Sequence, residues 1–219
     1  MHTRALRRDY SAQIEADFAV HLLGMLAGMV GVAVLVGLVV SANAVTLSSV
    51  LTYSVGLMAM LGCSAAYHIQ RSSEHREFLR RLDHAAIFVM IAGTYTPFTA
   101  CILGGADAIW LTGSMWLAAL SGVAVKLLYP RRFEWASTAV YLALGWSIVL
   151  FMRPLLAALD RPTLILLVTG GVLYSIGACI HRWRRLPFHD AIWHALVLIA
   201  AGCHYVAILH GVVLLGSRS

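Results

Sequence analysis

Apolar residues run along this chain in long unbroken stretches, at about residues 18–40, 46–69, 84–104, 108–129, 135–152, 163–181 and 191–215. Each stretch approaches the roughly 20 apolar residues that an α-helix needs to cross a bilayer. The runs are continuous, not alternating, so they do not read as the roughly ten-residue strands of a membrane barrel. Helices and closed barrels are the structures that satisfy their own backbone in lipid. The pattern therefore predicts an all-α, seven-transmembrane helix bundle. Connections between the runs are short, which makes residues 1–219 a single membrane domain with no room for a separate soluble one. The charged opening, MHTRALRRDYSAQIEAD, leads into an apolar run too long for a signal-peptide core, and no small-residue cleavage site follows it. That run reads as the first membrane helix.

Composition supports the same class. Only 12% of the residues are charged, against about a quarter in a soluble domain. The net charge of +6 would suit a nucleic-acid binder, but its distribution argues otherwise. Arg4, Arg7, Arg8, Arg71, Arg76, Arg80, Arg81, Lys126, Arg131, Arg132, Arg182, Arg184 and Arg185, 13 of the 16 Lys and Arg, occupy the N-terminus and alternate loops. Arg153, Arg161 and Arg218 are the remainder. A positive-inside bias places the N-terminus and the loops after spans 2, 4 and 6 in the cytoplasm, and the C-terminus outside. Basic segments beside the inner leaflet attract anionic lipid. That accounts for the charge, and no nucleic-acid signature is present.

Smaller features shape the expected bundle. Gly24 and Gly28 form a small-xxx-small pair in span 1, a pattern that lets membrane helices approach closely. Pro97 removes a backbone donor within span 3 and predicts a kink, with Thr94, Thr96 and Thr99 placed to re-satisfy the freed carbonyl. Cys63, Cys101, Cys179 and Cys203 lie within spans and lack CxxC spacing, so they read as packing residues.

The polar exceptions carry the chemistry. Ionisable residues inside a membrane are costly, and by default they mark functional sites. Span 2 ends LGCSAAYHIQ, with Ser64 and His68 four apart on one helix face. Span 3 opens RRLDHAAIF, placing Asp83 in its first turn. Span 7 opens LPFHDAIWHALVL, with Asp190 and His194 again four apart. The topology drawn from basic loops alone brings all five residues to one depth at the inner face. Zinc takes imidazole nitrogen and carboxylate oxygen, and a catalytic site keeps three protein ligands and one position for water. An i, i+4 pair with a third ligand from a neighbouring helix makes such a tripod: His68, Asp190 and His194. Water on the ion would have a pKa near ~7. A neighbouring carboxylate can take its proton and pass it on, and a nearby hydroxyl can hold the water or an oxyanion.

Each residue alone has a plainer reading. Asp83 and Asp190 suit helix N-caps, Ser64 can bond back to a helix carbonyl, and a lone membrane histidine usually bonds a neighbouring helix. The shared depth is what favours metal. His84 is turned about 100° from Asp83 and reads as a packing or supporting group. His21 lies at the right depth in span 1, with Glu15 and Asp17 before it to help orient it, on a helix whose neighbours the sequence does not identify. His204 is ten residues past His194, about 15 Å further along the axis and too far to share an ion.

SAAYH in span 2, DHAAIFVMIAGTYTPF opening span 3 and AIWHALVLIAAGCHY in span 7 resemble the haemolysin III proteins. These form the bacterial branch of the progestin and adipoQ receptor superfamily. The resemblance covers the whole chain, including the Glu15…His21 segment. It implies seven membrane helices with a cytoplasmic N-terminus, in a bacterial inner (plasma) membrane. In the family, a Ser-x3-His motif in helix 2 and a His-x3-His motif in helix 7 supply three zinc-binding histidines, and an aspartate near the start of helix 3 contacts the water on the zinc. The matching positions here are Ser64, His68, Asp83 and His194. Where the family has the first histidine of helix 7 this chain has Asp190, preceded by His189. Asp190 keeps the i, i+4 geometry and is the expected third ligand, whereas His189, five residues before His194, points elsewhere unless the helix starts late.

Relatives with ceramide-hydrolysing activity, and the similarly arranged alkaline ceramidases, imply a zinc-dependent hydrolase of a lipid amide or ester, with a ceramide-like lipid as substrate. In that reading Asp83 and Ser64 are catalytic and Zn2+ is the cofactor. The alternative is a non-enzymatic membrane-homeostasis or lipid-sensing protein with a structural zinc site. A lytic pore has little support in the sequence, which has no amphipathic lytic segment. A transporter is disfavoured because the polar groups gather at one face instead of lining a path.

Overall fold

The computed structural model describes residues 2–70, 74–103, 105–129, 131, 134–151 and 156–215. Arg71, Arg132, Arg153 and Arg218 of the charge pattern, with residues 104 and 152 at the expected ends of spans 3 and 5, lie outside them. Among the described residues the main helices are, in order, α1 (His2–Val39), α2 (Ala44–Ile69), α3 (Arg76–Phe98), α4 (Gly105–Leu128), α5 (Glu134–Trp146), α6 (Arg161–Arg182) and α7 (His189–Ile208). Among the described residues there is no strand.

Local sequence explains the helix ends. Asn43 caps α2 by accepting the Thr46 N–H at 2.9 Å, and Asp160 caps α6 by accepting that of Thr163 at 3.3 Å, as short polar side chains do at this position. Gly105 adopts φ +65° where the chain turns into α4, a conformation glycine takes without steric cost. Phe188 turns the chain into α7 at φ 59°, an uncommon conformation for a residue with a side chain. It stands two residues before Asp190.

Among the described residues six helices are long and apolar enough to cross a membrane, and the fifth is a shorter apolar helix, Ala136–Leu150. Its shortness has a cause in α3. The Tyr95 hydroxyl enters the α5 backbone, contacting the carbonyls of Leu144 and Gly145 at 2.9 Å each and accepting the Ile148 N–H at 2.8 Å. Ile148 N–H would bond Leu144 in a regular helix, so the intrusion diverts that bond. From Ser147 to Phe151 the chain tightens into a 3-10 turn.

Pro97 sits one residue before the end of α3, and a wider π-type turn, Thr99–Leu103, follows. The threonines do not reach the carbonyl that Pro97 frees, which is that of Gly93. Thr94 donates to Met90 O, Thr96 to Ala92 O and Thr99 to Tyr95 O, each four residues back.

α2 packs against α1 and α3, α3 against α4, α6 against α7, and α1 closes the circle against α7. The seat of α1 is a stripe of small residues. A Cβ on Gly24 would touch Leu61 of α2 and Leu198 of α7 at 3.4 Å, and one on Gly28 would meet Leu61 at 2.6 Å. The Tyr205 hydroxyl of α7 donates to Gly31 O at 3.0 Å. Continuing this stripe by steps of three and four towards the N-terminus gives His21 and then Asp17, on the same face of α1. The seam that seats α1 therefore delivers two polar side chains to the junction with α2 and α7.

At this end of the bundle Glu77, in the first turn of α3, accepts Arg80 at 2.8 Å and Arg131 at 3.3 Å. The pairing draws the loop after α4 onto the start of α3. Arg80, Arg81 and Arg131 thus gather around Glu77 at the start of α3.

A large side chain at Gly28 must push α1 off α2. Gly28→Leu is expected to destabilise the bundle by about 1–3 kcal/mol, the scale of overpacking. Gly37→Leu, where an added Cβ meets nothing within 4 Å, is expected to be neutral. Thermal unfolding in detergent of both variants measures the difference.

Candidate metal centre

Four side chains from three helices meet near one end of the bundle. Asp17 and His21 come from α1, His68 from the last turn of α2, and His194 from the second turn of α7. One ligand-type atom from each lies within 4.8 Å of the others. Asp17, His21 and His194 are buried, and His68 is mostly so.

Asp17 organises the group. Its two carboxylate oxygens take Nδ1 of His194 at 2.6 Å and Nδ1 of His68 at 3.1 Å. Its backbone carbonyl takes Nδ1 of His21 at 2.8 Å. Carboxylate and carbonyl oxygens only accept, so all three imidazoles carry their proton on Nδ1 and donate it to one residue. The rings pack closely: His21 and His68 stack with centroids 5.0 Å apart, and His194 stands edge-on to both at 4.4 Å. With Nδ1 engaged, each Nε2 carries the ring's lone pair, and that of His21 is met by the Ser64 hydroxyl. This is the arrangement metal-ligating histidines adopt, where a carboxylate or carbonyl on the far nitrogen fixes tautomer and ring orientation. The group could hold a divalent metal ion that takes imidazole nitrogen.

Ser64, one turn before His68, places its Oγ 3.2 Å from His21 Nε2. Because His21 holds its proton on Nδ1, the hydroxyl is the donor in this contact. Ser64 also faces the Asp83 carboxylate, which lies near enough to His68 and His21 to interact with both electrostatically. Asp83 is the eighth residue of α3, two turns inside the helix and not in its first turn, because α3 starts at Arg76, ahead of the apolar run.

Of the residues singled out from sequence, the structure brings His68, His194, Ser64 and Asp83 together and leaves Asp190 apart. The Asp190 side chain is half exposed at the rim, with Oδ1 3.5 Å from Nδ1 of His181 and 3.7 Å from that of His189. Its backbone N–H donates to His189 Nδ1 at 2.9 Å. As the second residue of α7 it meets the end of α6 instead of the bundle interior. His21 and Asp17 complete the group in its place. Their signal was present in the sequence, an Asp-x3-His pair at the right depth, but only the closure of α1 against α7 shows what it faces. His84 contributes its backbone carbonyl to the Tyr141 hydroxyl at 2.9 Å. His204 bonds Leu167 O at 3.3 Å and lies beside Tyr174, deeper in the bundle.

Fold and site together define an integral membrane protein with a buried centre of three histidines and an aspartate. The family model for haemolysin-III related proteins matches residues 16–205, and the chain belongs to that family, within the progestin and adipoQ receptor superfamily. It is 36% identical over 157 residues to a hemolysin-3 homolog of Bacillus subtilis, spanning 72% of this chain and 74% of that one. It is 29% identical over 164 residues to human monocyte to macrophage differentiation factor, spanning 71% and 67%. It is 30% identical over 186 residues to the rice heptahelical transmembrane protein ADIPOR2, spanning 72% and 79%. No solved structure gives a significant match. Likeness to the Bacillus protein fits a place in the bacterial plasma membrane.

The geometry separates two sets of variants. His68→Ala and His194→Ala are expected to lose bound metal, and Asp190→Ala to keep it. Asp17→Asn, which weakens the orienting bonds, is expected to lower metal affinity about 10- to 100-fold. Elemental analysis after gentle detergent extraction, with chelator competition, reads both effects.

Proposed function

We propose that the protein is a zinc-dependent hydrolase acting on a lipid amide or ester. The observation that carries this reading is the shared role of Asp17, which orients three imidazoles, with Ser64 beside His21 and the Asp83 carboxylate within electrostatic reach of His21 and His68. His21, His68 and His194 would hold the ion, and Asp17 would set their tautomers. When bound, zinc supplies Lewis acidity, making water a nucleophile at neutral pH and polarising an acyl carbonyl. Asp83 accepts the proton of the attacking water and returns it to the leaving group, the work of a general base and then a general acid. Ser64 donates its hydrogen bond to the water or to the developing oxyanion. The haemolysin III resemblance supports a ceramide-like substrate as one member of the class. The positive-inside bias supports a site at the cytoplasmic face, beside anionic lipid.

A second reading rests on the same hydrogen bonds. Asp17 ties α1, α2 and α7 together, so a bound ion could brace the bundle in a lipid-sensing protein without catalysis. Asp83 separates the two readings, because it takes no part in those bonds. Under the hydrolase reading Asp83→Asn retains zinc and loses about 10²- to 10⁴-fold in lipid turnover, the usual range for a general base. Turnover is measured by release of labelled fatty acid from amide and ester lipids in reconstituted vesicles. Unchanged turnover or cellular function in a zinc-loaded Asp83→Asn protein would favour the brace.

A further inference from the structure

The centre is open on one side. A cleft of about 250 Å³ lies between α1 and the end of α2, with Asp17, His21 and His68 as its floor. Its walls are Ile14, Phe18 and Ile69, and Glu15 stands at its edge. Phe18 is 48% exposed and Ile69 50% exposed, and the α1 surface above them continues apolar through Leu22 and Leu26. On a helix read as facing lipid, a mouth with such walls opens sideways into the bilayer and not straight into water. Hydrated ions need no apolar walls, and the volume is several times the ~30 Å³ share of a water molecule. It falls just below the range of small-molecule pockets, roughly 300–1,000 Å³. That suits a lipid headgroup and its first carbons, with the chains left along Phe18, Leu22 and Leu26.

Glu15 gives the mouth its chemistry. Among the described residues its carboxylate has no hydrogen bond or ion pair. Asp17, the other carboxylate of the cleft, is committed to the three histidines. A carboxylate with no partner among the described residues, beside an apolar groove, is complementary to a cationic amphiphile. We infer that the α1–α2 cleft is a lateral entrance for a lipid bearing an amine, whose ammonium pairs with Glu15 while its adjoining polar group reaches the histidine floor. The inference rests on the proposed function only for what happens at that floor; the entrance and its charge preference stand on the cleft alone.

The test uses the full-length protein in phosphatidylcholine vesicles with two photoreactive probes. One is a long-chain alkylamine carrying a diazirine on its chain, and the other is the alcohol of the same length. Labelled residues are mapped by mass spectrometry and zinc content is read on the same samples. The amine is expected to label Ile14, Phe18 and Ile69 about two- to fivefold more than the alcohol, the scale of one partly exposed ion pair. Glu15→Gln is expected to bring the ratio close to one with zinc content unchanged. Phe18→Trp, which fills the mouth, is expected to reduce labelling by both probes. Equal labelling by amine and alcohol, labelling spread evenly over α1, or a preference that survives Glu15→Gln would overturn the entrance. So would a loss of zinc in Glu15→Gln without a change in the labelling ratio, which would assign the carboxylate to the metal. Amine-selective labelling without lipid turnover would sink the hydrolase and leave the entrance standing; turnover without amine selectivity would do the reverse.

Discussion

One carboxylate holds the functional end of this protein together. Asp17 receives an Nδ1–H from a histidine on each of three helices, two on its side-chain oxygens and one on its own carbonyl. In a bundle surrounded by lipid, burying four such groups is tolerable only if their polar atoms satisfy one another. Asp17 meets that demand by holding the proton of each ring on Nδ1, so that each lone pair lies on Nε2. The arrangement that satisfies these buried polar groups is also one that could hold a metal ion.

The rest of the fold positions that carboxylate. Gly24, Gly28 and Gly31 let α1 lie close against Leu61 and Tyr205, and the stripe they form runs down to His21 and Asp17. Ser64 and His68 follow from a helix face at the end of α2, and Asp83 from the opening turns of α3. The short fifth helix stands apart from the site. Its early tightening traces to Tyr95, a side chain of α3 that competes for the α5 backbone.

Much of this was legible in the chain. Continuous apolar runs gave the helices, the spacing Ser-x3-His placed Ser64 and His68 together, and the basic loops put Asp83 and His194 at the same depth. Two things were not legible, for physical reasons. Helical spacing tells which residues share a face but not where that face points. Asp190 and His194 are four apart, yet Asp190 sits at the first turn of α7, where the end of α6 with His181 is the nearer neighbour. Asp17 and His21 carried the same spacing signal, but their meaning depended on α1 packing against α7, a contact between the two ends of the sequence. Likewise nothing local marks Tyr95 as the residue that shortens α5.

The central claim is that three imidazoles, including His21 and excluding Asp190, form the ligand set. Zinc K-edge X-ray absorption of the purified zinc-loaded protein, beside Asp190→Ala and His21→Ala, tests it directly. The account predicts a first shell with three imidazole nitrogens, unchanged in Asp190→Ala and reduced by one in His21→Ala. A shell with two imidazoles and a carboxylate, altered by Asp190→Ala and indifferent to His21→Ala, would contradict it.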